Sequence, residues 1–365
     1  MKNPPIAMST TSDHWAFGKV KANGLLRKIG KVFLLIVMIG FAGQAPLVAA
    51  SETRHSGHLY KGKITIGTAI WPGYLALYVA QEKGYFRETG LDVDVTLGIG
   101  LEEVSKDYVA GKMQGRANLV FDAVKEWLGG FDHKVILAID YSNGSDAILA
   151  RQAILSVQDF KGKRVGYEFG TLEEFYLTWV LVENGMEISD IVPVNANPEE
   201  AAKMLKEGQV DVAVTYEPFV SKFVSSGDFH VVTSSADFPG LITDILTFRT
   251  DFIEAYPETI RAIVSAYFKA IDFWKTHPDE AHAIMAKKFK DTPESIAKQL
   301  KGVKLLDKRD NETAFTFSTG VQSLYGNLRQ IDKFIQQHNN NGSSKPFRTD
   351  TLVERKFIKE IDAGR

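Results

Sequence analysis

The stretch "KITIGTAIWPGYLALYVAQEKGYFRETGLDVDV", Lys63 to Val95, changes periodicity twice. "KITIGTAI" alternates and runs apolar, as a strand does. Leu75, Leu77, Tyr78 and Val79 then give the apolar face of a helix that Gly84 stops. "LDVDVTLGI" alternates again. Strand, helix and strand in about 30 residues make a βαβ unit. Between the first strand and the helix stand Trp71, Pro72, Gly73 and Tyr74. Small polar residues suffice for such a turn, so its two large aromatics need a reason.

The same rhythm extends outward. "EEVSKDYVAGKM" reads as helix, "RANLVFD" as strand, "AVKEWLGGF" as helix and "KVILAIDYS" as strand. A second run follows: a strand in "LSVQDFKGKRVGYEFGT", the helix "LEEFYLTWVLVENGM", the strand "SDIVPVNAN", the Pro-initiated helix "PEEAAKMLKEGQ" and the strand "VDVAVTYEP". After Asp237, apolar residues recur at three- and four-residue spacing, which predicts a largely helical tail. The pattern calls for an α/β fold of two similar lobes, each a mostly parallel sheet covered by helices. A ligand site would then lie at strand C-termini, in a cleft between the lobes.

The first 50 residues read differently. A basic run (Lys19, Lys21, Arg27, Lys28, Lys31) precedes "VFLLIVMIGFAG", and "QAPLVAAS" places small residues at Val48 and Ala50. This is the tripartite pattern of a secretory signal peptide cut after Ala50. The apolar run is shorter than the ~20 residues that span a bilayer. Six of the 43 basic and one of the 45 acidic residues lie in 1–50, so the remainder carries 37 and 44, a net charge of −7. Such a balance offers no electrostatic footprint for nucleic acid. The chain has no cysteine, so its stability rests on core burial rather than disulfides. Residues 51–62, "SETRHSGHLYKG", are polar and read as a disordered lead-in. A monomer free in the periplasm is the expectation.

The loops at the strand C-termini supply the candidate contacts. They offer the aromatics Trp71, Tyr74, Tyr141, Tyr167, Phe169 and Tyr216, and the acids Asp122, Asp146, Glu168, Glu217 and Asp244. Aromatics recurring in four loops suit the enclosure of a small organic ligand. Thr171, with Glu174 three residues on, reads either as a capping box or as a helix start whose free N–H groups take an anion. In "DYSNGSDA", Ser142 and Asn143 make a simple turn or a nest of donors. Glu217 pairs an ammonium group or is a solvated loop charge. No GxxxxGK[ST], HExxH or GxSxG pattern occurs. The histidines have no metal-ligand spacing, so neither a metal nor a cofactor is expected.

Three segments carry a family resemblance: the opening βαβ stretch, "DYSNGSDAILARQAILSVQDFKGKRVGYEFGT" and "GQVDVAVTYEPF". Over about residues 62–335 the chain resembles the ABC-transporter substrate-binding proteins of the nitrate, sulfonate, taurine and thiamine-precursor type. The resemblance implies a type II periplasmic-binding fold, with a first lobe of 63–152 plus 235–365 and an inserted lobe of 153–234. It also implies lobe closure on a solute and delivery to a membrane permease with its ATPase. Carried over by position, Trp71, Tyr74, Ser142, Asp146, Glu168, Thr171 and Glu217 are the implied contacts. No Lys or Arg occurs between 167 and 202, which favours an amine-bearing or flat heterocyclic solute over nitrate, taurine or another sulfonate. Pyrimidine-synthesising relatives of this fold depend on a Cys-rich segment that is missing here, so a non-enzymatic role is expected. Presentation of the ligand to a membrane receptor, as a sensing module, stays open beside transport.

Overall fold

A computed structural model of the chain describes residues 57–98, 100–338 and 348–363. The signal segment 1–50, its cut after Ala50 and residues 51–56 of the lead-in fall outside these. The strands are β1 (Lys63–Thr68), β2 (Asp92–Leu97), β3 (Gly115–Leu119), β4 (His133–Ser142), β5 (Asp146–Arg151), β6 (Arg164–Tyr167), β7 (Val192–Asn195), β8 (Val212–Tyr216), β9 (Phe229–Ser234), β10 (Thr243–Arg249) and β11 (Val303–Leu305). They form two sheets, ordered β11-β4-β10-β3-β1-β2 and β7-β6-β8-β5-β9.

Both sheets are mixed rather than mostly parallel. β1 runs parallel to β2 and β3, but β10 enters antiparallel between β3 and β4. In the second sheet β6 runs parallel to β7 and β8, while β5 lies antiparallel between β8 and β9. The segment after Asp237 is therefore not helical throughout. "TDILTFR" is β10, whose Ile245, Leu246 and Phe248 are fully buried. Each such side chain contributes roughly 1.5–3 kcal/mol through burial, which outweighs the helical spacing around it. Apart from the short strand β11, the described segments after β10 are largely helical, from Thr250–Ala255 through the helices Pro257–Thr276 and Pro278–Phe289, the last two each opened by its proline.

The lobe boundary shifts as well. Asp146–Arg151 pairs with β8 and β9, so residues 146–151 belong to the second sheet and not to the first lobe. The chain crosses between sheets at 143–145 and returns through 235–242. The described part of the lead-in is packed rather than disordered. Tyr60 N–H donates to Thr259 Oγ1 at 2.8 Å, and its ring meets Phe252 and Tyr256 edge-on.

The opening helix, Leu75–Glu82, is apolar nearly all round because it is covered on both sides. Leu75 to Ala80 are all buried, and it packs against β2 and the helix Pro257–Thr276. No described helix is long and apolar enough to cross a membrane.

Candidate functional site

A cavity of about 850 Å³ opens between the lobes, within the ~300–1,000 Å³ of small-molecule sites. The first lobe lines it with Trp71, Tyr74, Leu101, Lys106, Asp122, Lys125, Ile242 and Asp244. The second supplies Asp146, Glu168, Thr171, Leu172, Glu173, Pro198 and Tyr216. The antiparallel strands explain why acids meet here. β10 and β5 begin at the edge where their parallel neighbours end, so Asp244 stands beside Leu119 and Asp146 beside Tyr216.

The cavity thus gathers eight of the expected residues: Trp71, Tyr74, Asp122, Asp146, Glu168, Thr171, Tyr216 and Asp244. Ser142, Asn143 and Glu217 do not line it. Ser142 Oγ bonds Ser235 Oγ at 2.7 Å, and Asn143 N–H donates to Gly302 O at 2.8 Å. Gly144 N–H also donates to Ser235 Oγ, at 2.8 Å. These bonds tie the two inter-lobe crossovers to each other and to the start of β11. Glu217 turns away and caps the helix Phe219–Val224, accepting from Ser221 N–H at 3.0 Å and Ser221 Oγ at 2.7 Å. Glu217→Gln is therefore expected to leave the affinity of any cleft ligand within about twofold and to cost about 0.5–1.5 kcal/mol, since the amide oxygen keeps one of the two Ser221 bonds. Ligand titration beside urea denaturation measures both.

Thr171 does stand at the N-cap of the helix Leu172–Glu183, but its hydroxyl does not cap. It lies 2.7 Å from Glu168 O and 2.5 Å from Glu173 Oε2, its single hydrogen going to one of them at a time, while Gly170 N–H donates to Glu174 Oε2 at 2.6 Å. Of the other edge aromatics, Tyr141 is buried with its hydroxyl on Gln322 O, and Tyr167 is buried under the half-exposed Phe169.

The turn Pro72–Tyr74 is a single 3₁₀ turn docked on two buried acids. Trp71 Nε1–H lies 3.2 Å from both oxygens of Asp140, and Tyr74 OH donates to Asp244 Oδ1 at 2.5 Å. Gly73 permits the approach, since an added Cβ would overlap Asp140 Oδ2 and lie 2.5 Å from Trp71 Nε1. Asp140 and Glu173 were missed as site residues. Asp140 falls inside an apolar strand pattern, and Glu173 reads as an ordinary first-turn helix acid.

Charge in the cleft is lopsided. Burial raises Asp244 and Glu173 to about 7 and Asp146 to about 6. Asp140 is pushed well above the carboxylate range, by burial first and then by Asp244. Among the described residues no cation pairs with Asp140, Asp146 or Asp244. The two cleft lysines are engaged: Lys106 with Glu102 at 2.7 Å, Lys125 with Gly170 O at 3.1 Å across the lobes. Below the floor, Arg116 is fully buried, bonded to Glu126 and 3.5 Å from Asp122. No group of three or more His, Asp or Glu among the described residues is placed to hold a metal ion.

Two lobes joined by two crossovers around an aromatic, acid-lined cleft define a class of proteins. Residues 71–281, more than half of the chain, match the family described as NMT1/THI5 like, and the chain belongs to that family. It is 24% identical over 342 residues to a Bacillus subtilis chain named for binding aliphatic sulfonates, covering 86% of this chain and 99% of that one. It is 26% identical over 229 residues to a 4-amino-5-hydroxymethyl-2-methylpyrimidine phosphate synthase of Candida albicans, covering 58% and 66%. The periplasmic aliphatic sulphonate binding protein of Escherichia coli superposes with a TM-score of 0.67 at 15% identity, over 82% of this chain and all of that one. The fold is the type II periplasmic-binding fold.

Proposed function

We propose that this chain is the periplasmic solute-binding component of an ABC importer, closing its two lobes on a small amine-bearing or flat heterocyclic solute such as a thiamine precursor. One observation carries the ligand class: the cleft presents buried carboxylates without protein counter-ions beside the rings of Trp71, Tyr74 and Tyr216. Such a site stacks a flat ring and takes its amino group or cation through charge-assisted hydrogen bonds. Closure follows where the ligand binds the closed lobes better than the open ones. Delivery to a permease and its ATPase is the role that goes with this class, and the export pattern in residues 1–50 supports a periplasmic location. Binding without turnover is the reading: with no cysteine, the chain has no thiol chemistry to bring to a bound pyrimidine.

A sulfonate is the second reading, favoured by the relatives named for sulfonates and by Lys106 and Lys125 on the cleft wall. A thermal-shift panel on the chain from Ser51 separates the two. It holds thiamine precursors, polyamines, amino acids, taurine, alkyl sulfonates and nitrate. A solute at ~100 times its dissociation constant adds about 2.7 kcal/mol of stability. Stabilisation by an amine or aminopyrimidine is expected. Stabilisation by taurine, a sulfonate or nitrate alone would overturn the charge argument.

A further inference from the structure

Both aromatic walls of the first lobe hang on one pair of acids. Asp140 of β4 and Asp244 of β10 stand directly opposite in an antiparallel ladder, where opposed side chains share a face with Cβ atoms about 4.5–5.5 Å apart. Both are buried, at 0% and 2% exposure. Two like charges facing each other in a buried ladder without a cation do not both ionise. Each acid holds one end of the same turn: Asp140 takes Trp71 Nε1–H, Asp244 takes Tyr74 OH. Asp244 lines the cavity and Asp140 does not.

We propose that Asp140 is a positioning residue of the cleft: with Asp244 it forms a mount of two carboxyl groups sharing one proton, and this mount fixes Trp71 and Tyr74 at the ligand's edge. The charged and titratable neighbours leave that proton in place. Asp146 on β5 adds negative charge, and Asp122 does the same toward Asp244. The helix Pro257–Thr276 contributes Tyr267, a buried phenol that donates to Ile139 O. Arg116 favours ionisation of Asp244, but it is bonded to Glu126 and drawn to Asp122. Burial raises both acids first; Asp244 adds to the rise of Asp140, while Asp146 and Asp122 add to that of Asp244. Their stabilising contribution is complete below the unfolded-state value near 4. It is lost as pH rises through the folded values, about 7 for Asp244.

The meaning of this mount for recognition rests on the cleft being the solute site; its test needs no solute and is separable from the panel above. Asp140→Asn keeps an acceptor for Trp71 and offers its amide N–H to Asp244, so it imitates the protonated acid. Asp140→Ala removes the mount. The Trp71 signal is the difference between each protein's emission and that of its Trp71→Phe counterpart. In Asp140→Ala it is expected to shift to longer wavelength and to be quenched by acrylamide at least twofold more strongly. In Asp140→Asn it is expected to match wild type. Between pH 5 and 7 the wild-type unfolding constant should rise up to about tenfold per pH unit relative to Asp140→Asn, the linkage of one retained proton. Parallel pH profiles would sink the shared proton. A Trp71 signal unchanged in Asp140→Ala would remove Asp140 as a positioning residue. If the Ala variant does not fold, Asp140→Ser, too short to reach the indole, takes its place, and the Asn profile decides the proton by itself.

Discussion

Replacing Arg116 with alanine is expected to destabilise the protein by about 3–5 kcal/mol, the cost of stripping one partner from a buried ion pair. Arg116 is fully buried, and its partner Glu126 is only 8% exposed in its side chain. Without the guanidinium, Glu126 keeps the Ser105 hydroxyl but no cation, and Asp122 on the cleft floor loses its nearest positive charge. His133, whose Nδ1 lies 3.8 Å from Glu126 Oε2, replaces the guanidinium only in part: burial, the main cause that holds it down to about 4, stays when the lesser one, Arg116, is removed. The loss should be larger at pH 8 than at pH 5, because acid lets Glu126 take a proton instead of a stranded charge. Urea denaturation at both pH values tests this. A cost below 1 kcal/mol at pH 8 would mean that water reaches the pair. The double variant Arg116→Met with Glu126→Gln should recover most of the loss, since neither buried charge is then left alone.

Gly73→Ala should damage stability and recognition together. The new Cβ would enter the space of Asp140 Oδ2 and lie 2.5 Å from Trp71 Nε1. Asp140 cannot swing aside, being a short side chain in the middle of a buried ladder. Overpacking of this kind costs typically about 1–3 kcal/mol. The turn must lift, and Trp71 and Tyr74 lift with it, so a cleft ligand should bind at least tenfold more weakly, by titration calorimetry. A double-mutant cycle identifies the cause: in an Asp140→Ala background the stability cost of Gly73→Ala should shrink by more than half. Equal costs in both backgrounds would place the clash elsewhere.

The two-lobe α/β fold was legible because its βαβ units are local. The Lys63–Val95 stretch holds its own strand, helix and strand, and no distant residue is needed to read them. Strand β10 was not legible. "TDILTFR" is a short apolar run between helical segments, and only the gap between β3 and β4, more than a hundred residues earlier, makes it a strand. The same strand explains the cleft acids. Asp244 was visible as a loop acid, whereas its pairing with Asp140 depends on a register that sequence does not carry. Ser142, Asn143 and Glu217 show the converse limit. A hydroxyl, an amide or a carboxylate beside a turn has the same composition whether it holds a crossover, caps a helix or meets a ligand.

The place of β10 also sets an order of assembly. The second lobe is made from one continuous segment, β5 to β9, and has all its strands once Ser234 has emerged. The first lobe starts earlier and finishes later. A chain emerging N-terminus first holds β1 to β4 with a gap where β10 must go, and its outer strand β11 arrives only at Val303–Leu305. Until β10 arrives, β3 and β4 show each other unpaired edges, the kind of surface that recruits other strands. The lobe that begins the protein is the one left waiting, for more than a hundred residues, and that interval is when this chain most needs to be kept from its neighbours.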